Sequence, residues 1–211
     1  MKKMLNRLLH FLPIVAVVLI SLSGCSHQTL ESKEVMAKFQ GEDITLEDLN
    51  FYLVLNQVNY EQMYSDKYPG ENIWKKDILN TGHTLETEVK SSIMQQLKQM
   101  DILLAKAEEM NITLDEKDQE ELLILEEVFQ RKYSEEVLSA IHAEDGSVKE
   151  HLRQSMLAAK VKDAVCSENG WDDDDREEEF FALYQKWAKD YNFTIREVDW
   201  SEIHFEQGKY K

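Results

Sequence analysis

Val35-Met36-Ala37-Lys38-Phe39-Gln40-Gly41-Glu42-Asp43-Ile44-Thr45-Leu46-Glu47-Asp48-Leu49 is the stretch from which the fold is read. Val35 to Phe39 alternates apolar and other residues, the period of a half-buried strand. Gln40-Gly41-Glu42-Asp43 supplies turn-forming residues that end it. Thr45 then offers a hydroxyl to cap a helix, and Asp48 three residues on completes a pair of capping-box type. A helix is expected over residues 46–64, with Leu49, Leu53, Asn56, Tyr60 and either Met63 or Tyr64 along one stripe.

Working outward, the chain breaks at Tyr68-Pro69-Gly70 and resumes at Thr84 with its longest regular element. Leu85, Val89, Ile93, Leu97, Met100, Leu104 and Ala107 recur at steps of three and four, which sets them on one side of a long helix. Asn111 tolerates left-handed backbone and is its expected end. Thr113-Leu114-Asp115-Glu116 and Ser147-Val148-Lys149-Glu150 both read as capping boxes. One helix is expected from Leu114 to about His142, with Leu122, Leu125, Val128, Phe129, Val137 and Ile141 as its apolar residues. Another runs from Ser147 to near Gly170. Asp172 to Asp175 opens a last helix, where carboxylates favour the positive end of the macrodipole. Phe180, Phe181, Tyr184, Trp187 and Tyr191 give that helix an aromatic face. Phe193, Ile195 and Glu197 alternate again, and with Trp200, Ile203 and Phe205 they predict one or two short strands. The expected fold class is mainly α, with short β-strands near the two ends of residues 35–211 that pair with each other. Amphipathic helices without a large sheet must bury their stripes against one another.

The segment ahead of this domain has a different character. Lys2, Lys3 and Arg7 precede an apolar run from Phe11 to Leu22, and Leu22-Ser23-Gly24-Cys25 closes it. A basic start, a short apolar core and small residues before a cut describe a secretory signal peptide over residues 1–24. The run is short for a membrane span of ~20 residues. Its small-small-Cys ending resembles the bacterial lipobox, which implies that Cys25 becomes an acylated N-terminus bearing fatty chains such as palmitate. Residues 25–34 then read as a polar tether holding the domain off a membrane. The expected location is the extracytoplasmic side of the cell membrane, through this lipid anchor.

The chain carries 41 acidic and 24 basic residues, a net charge of −17. Removal of residues 1–24 takes away three bases and no acid, leaving a balance near −20. Nucleic acid and anionic membrane surfaces call for basic patches, so neither is an expected partner. With seven glycines and two prolines, the chain has little punctuation, as long helices require. Cys166 has no intramolecular partner once Cys25 is acylated, and with no cation beside it in sequence it reads as an inert thiol.

Catalytic and metal-binding patterns find little support. Asp172-Asp173-Asp174-Asp175 lacks the spacing and distal glutamate of an EF-hand loop and reads as a solvated helix start. His27, His83, His142, His151 and His204 are scattered, and no Cys-x-x-Cys is present, so no zinc site is expected. There is no Gly-x-Ser-x-Gly elbow and no glycine-rich phosphate loop. No cofactor is expected. Apolar surface remains. Tyr52, Tyr60, Met63, Tyr64, Tyr68 and Trp74 crowd one region, and Met94, Met100 and Met110 lie along the longest helix. At helical spacing such side chains are ordinarily core; left exposed, they form a pliable cradle for an extended peptide. Tyr60, Met63, Tyr64, Trp74, Met94 and Met100 are the expected peptide-binding residues on that second reading.

The opening run resembles the start of the SurA and PrsA-type chaperone module, a short Val-Ala-x-Val-x-Gly strand followed by Ile-Thr-x-x-x-Leu into a helix. Leu85 through Thr113, with the ending between Leu103 and Leu114, is similar to that module's long central helix. Ser147 to Val165, with Arg153 and Lys160, and Asp173 to Tyr184 are similar to the two helices that follow. The resemblance implies a SurA N-terminal or trigger-factor-C-like helical chaperone fold that holds unfolded or translocated polypeptides outside the cytoplasm. Many members add a parvulin-type prolyl isomerase domain that opens on a His-Ile-Leu strand. Here Trp200-Ser201-Glu202-Ile203-His204-Phe205 stands where that strand would begin, with Ile before His. Isomerase activity is therefore not expected, and the chain reads as a non-enzymatic holding lipoprotein. The alternatives are an assembly lipoprotein that binds one folded envelope partner and a degenerate peptidyl-prolyl isomerase.

Overall fold

The computed structural model describes residues 33–142, 146–171, 175–196 and 200–210. The expected signal segment, Cys25 and the tether up to residue 32 lie outside the described residues, as do Asp172, Asp173 and Asp174. The described chain is mainly helical, with one small antiparallel sheet.

Strand β1, Val35–Phe39, turns directly into β2, Glu42–Thr45. Gln40 and Gly41 have φ of 51° and 91°. Two successive left-handed residues make the tight turn whose twist suits a hairpin. The turn is therefore shorter than expected, and Glu42 and Asp43 already belong to a strand. Lys38 and Asp43 face each other in register and form an ion pair. The third strand, β3 (Phe193–Ile195), lies antiparallel on the other side of β1, pairing Ala37 with Ile195 and Phe39 with Phe193. The two ends of the domain thus meet in one sheet of order β2-β1-β3. Trp200, Ile203 and Phe205 form no strand among the described residues.

Helix α1, Leu46–Tyr64, starts where Thr45 and Asp48 exchange the two hydrogen bonds of a capping box. A single 3-10 turn at Ile73–Lys75 follows, and then α2, Leu85–Glu109, capped by Thr84. Asn111, at φ 54°, turns the chain away from α2. The next helix, α3, spans Glu116–Lys132 and is capped by Asp115 with Asp118, two residues past the expected Thr113–Glu116 pair. It does not run on to His142. Tyr133 is extended, and Ser134 caps a separate short helix, α4, at Glu135–Ala140. Helix α5, Ser147–Asn169, is preceded by left-handed Gly146 rather than capped by Ser147. The Ser147 hydroxyl instead donates to the carbonyls of Ile141 and His142, which are 2.9 and 3.0 Å away. Gly170, at φ 67°, terminates α5, and α6 runs over Arg176–Trp187.

Three apolar clusters share these helices. The first joins Met36 and Ala37 of β1, Leu49 and Leu53 of α1, Ile73 and Trp74, and the first half of α2 from Leu85 to Leu97. Phe205 completes it from the C-terminal segment. The second gathers Leu103 and Ala107 of α2, Ala158, Val161, Val165 and Cys166 of α5, and Phe180 of α6. Cys166 is buried, and burial pushes its thiol up, while Arg176 and Lys162, cations that the fold brings near it, act in the opposite sense. The third sits on the far side of α1, where Val54 and Leu55 meet Val137, Ile141 and Val148. Helix α1 is buried on two sides, which explains why its apolar residues do not form a single stripe.

The segment 200–210 is fastened to the first cluster by side chains of α1 and α2. The Lys90 ammonium donates to the Ile203 carbonyl at 2.7 Å, and the Glu86 carboxylate accepts from the Phe205 amide at 3.0 Å. Gln57 donates to the Glu206 carbonyl at 2.5 Å, and Gln207 accepts from the Ile73 amide at 3.0 Å. Burial lowers the Lys90 ammonium from its ordinary value, with Glu86 and Glu202 acting in the opposite sense.

Candidate functional site

The six side chains expected to line a peptide cradle are not brought together. Trp74 is 1% exposed; its ring lies 4.3 Å from that of Phe205, and its indole donates to the Glu61 carboxylate at 2.9 Å. The same carboxylate accepts from the Gly208 amide at 2.8 Å. Met94 is buried in the same first cluster. Both residues are structural anchors, which corrects their expected place on an accessible surface. Tyr60 and Tyr64 are half-buried and continue the ring series outward, 6.2 Å from Trp74 to Tyr60 and 6.3 Å on to Tyr64. Met100 is half-buried against the second cluster, apart from the others. Met63 alone of the six is open to solvent, at 65% exposure.

Where the three clusters adjoin, the interior turns polar. Asp101 lies on α2 between Leu97 of the first cluster and Leu103 of the second. His151 lies on α5 between Val148 of the third cluster and Ala158 of the second. On α1, Phe51 stacks on the His151 ring at 4.0 Å, and Tyr52 meets it edge-on at 5.3 Å. Asp101 Oδ2 and His151 Nδ1 are buried without a hydrogen-bond partner among the described residues. Burial, reinforced by Asp48 and Glu42, pushes the Asp101 carboxyl up to about 6. Burial lowers the His151 imidazole, against the opposing pull of Glu150 and Asp48. The Tyr52 hydroxyl rises to about 12, through burial first and Asp101 second. A carboxyl that resists ionising and an imidazole that resists protonation share one junction. Among the described residues no group of three His, Cys, Asp or Glu side chains is placed to hold a metal ion.

The accessible apolar surface gathers on α3. Leu123 is 56% exposed, Ile124 60% and Val128 46%. On this helix only Leu122 is fully buried; Leu125 and Phe129 are half-buried beside it. The inward side is fixed to α5 by the Lys160 ion pair with Asp118. Val128 thus belongs to the outer side, against the expectation that it joins the core stripe. The signal was present in the sequence. Leu122-Leu123-Ile124-Leu125 are four apolar residues in a row, and at 100° per residue a helix cannot turn all four inward. Leu79, Phe181 and Ile195 are also exposed, each on a different segment. Isolated cases of that kind are ordinary, whereas Ile124 and Val128, one turn apart on a single helix, expose adjacent apolar side chains.

No protein-family model, curated protein or solved structure gives a significant match to this chain. No described helix is long and apolar enough to cross a membrane.

Proposed function

We propose that this protein is a lipid-anchored, extracytoplasmic holding chaperone of the SurA/PrsA helical type, tethered through Cys25 and free of isomerase chemistry. The observation that carries this reading is the exposed Leu123, Ile124 and Val128 face of α3, on a helix whose inner side is already secured. Holding requires apolar surface that an unfolded chain can cover and release. Three side chains of this size offer a few hundred Å2, and at ~25 cal/mol per Å2 their gross gain of several kcal/mol is reduced by ordering costs. Weak, reversible capture follows. The tether keeps the face near the membrane, where translocated chains emerge.

The test is suppression of aggregation of a reduced, unfolded model protein by the full chain in uncharged lipid nanodiscs. The native chain delays aggregation at stoichiometric amounts, and the triple variant Leu123→Ser, Ile124→Ser, Val128→Ser does not. Equal protection by both proteins removes α3 from the mechanism. Absence of protection by the native chain at excess removes the holding role.

A further inference from the structure

We propose that the outer face of α3 selects client segments in which leucine-sized apolar residues are interleaved with lysine or arginine. This rests on the holding role above and names its substrate class. Ile124 and Val128 are one helical turn apart and present adjacent side chains, with Leu123 on the neighbouring flank. Carboxylates surround them. Glu120 and Glu121 stand one turn before Ile124, Glu127 lies one turn after Leu123, and Glu116 lies two turns before it on the same helix.

The bases on this helix are largely spent on other partners. Arg131 is paired with Glu127. Lys132 donates to the Tyr133 hydroxyl at 3.0 Å and lies over its ring, 4.7 Å from the centroid. Lys160, which approaches from α5, is held by Asp118 and Asp115. Lys117, on the first turn, has no ion pair among the described residues, and neither do Glu116, Glu120 and Glu121. The rim of the apolar face is therefore net negative. An occupant that brings apolar side chains and cations together satisfies both features, while an acidic or neutral segment satisfies one at most. The same charge argues against other occupants. A second copy would set two such rims face to face on chains of net charge −17, and an anionic lipid surface would be repelled.

Two labelled peptides of matched length and apolar content test the assignment, one with lysines between its leucines and one with glutamates. Their binding to the full chain in uncharged nanodiscs is read by fluorescence anisotropy, with empty nanodiscs subtracted. Exposed charge pairs each contribute little, so three rim carboxylates together give a preference of about tenfold for the lysine peptide at low ionic strength. High salt erases that preference, because the pairs are solvent-screened. Glu120→Gln with Glu121→Gln narrows it to within about threefold while residual apolar binding persists, and the triple serine variant abolishes binding of both peptides. Equal binding, or tighter binding of the glutamate peptide, overturns the client class and leaves the holding role standing. Binding of neither peptide overturns both. A dimer that the serine variant disperses, seen by light scattering, assigns the face to a second copy and also overturns the proposal.

Discussion

The ring series beneath Tyr60 and the outer side of α3 are built from the same class of side chain and do opposite things with it. Trp74 is covered on all sides, down to an indole nitrogen satisfied by Glu61 and a Phe205 ring supplied by a distant segment. On α3, Leu123, Ile124 and Val128 have no such covering among the described residues. Local sequence is equally greasy in both places. The difference lies in whether another element crosses over. The 3-10 turn and residues 200–210 cover the aromatic residues of α1, whereas α3 is packed on one side only. Content of Tyr, Trp and Met is thus a weak guide to accessible surface, and helical phase is a stronger one.

Truncating side chains in both regions should separate them most clearly. Trp74→Ala removes the largest buried ring and leaves the Glu61 carboxylate short of a donor, so a loss of about 3–5 kcal/mol is expected in denaturant unfolding. The serine substitutions on α3 change the same measurement by no more than about 0.5 kcal/mol each, because they remove groups already in water. A large loss of stability in the α3 variant would mean that its outer face is covered in the native state. A small loss at Trp74 would mean that the ring series is not the anchor described.

Next in size is the polar junction. A carboxyl raised in the folded state binds its proton more tightly there than in the unfolded chain. Its favourable contribution is complete below the unfolded value near 4 and is lost as pH rises through about 6. Asp101→Asn is therefore expected to stabilise the protein at neutral pH by about 2 kcal/mol after allowance for solvent screening, and to change little near pH 4. His151 acts in the opposite sense. Its lowered folded value means that stability present above its ordinary titration is lost on acidification, so His151→Phe flattens the acid limb of the stability profile. Chemical unfolding of both variants from pH 4 to 8 checks the two signs separately. An Asp101→Asn profile parallel to that of the native chain would show that the carboxyl is not the source of the slope.

Smaller again is the cap of α1. Thr45→Ala removes the hydroxyl that accepts from the Asp48 amide, for an expected loss of about 1 kcal/mol in thermal unfolding. If that loss falls well below the measured error, the strand-to-helix junction is held by the sheet and not by its cap.

Much of the frame was legible because it depends on local rules. The Val35–Phe39 strand, the Thr45 cap, the long helix from Thr84 and the stop at Gly170 each follow from a few neighbouring residues. The pairing of the two terminal strands was also legible, since each is too short to stand alone. What escaped depended on choices between equivalent signals. Thr113 and Asp115 are both good caps, and the chain uses the second. Glu42 and Asp43 have poor strand propensity and are recruited by the tight turn beside them. Tyr133-Ser134 breaks a run that is otherwise helical in composition, and Ser134 followed by two glutamates was the available warning. At the candidate site, Trp74 was misplaced because the Phe205 ring that covers it comes from far along the chain. Val128 was misplaced because the phase of α3 is set by Leu122 and by Asp118 meeting Lys160.

The central position of β1 has a consequence for the order in which the protein matures. One neighbour, β2, is made immediately after it, but Gln40 exchanges hydrogen bonds with Asn192, 152 positions later. A polypeptide delivered N-terminus first, through a ribosomal exit or a translocation pore, holds β1 with one edge vacant until Phe193–Ile195 has emerged. During that interval the lobe around Trp74 also lacks Phe205, so the nascent protein passes through a stage in which it is itself in need of shelter.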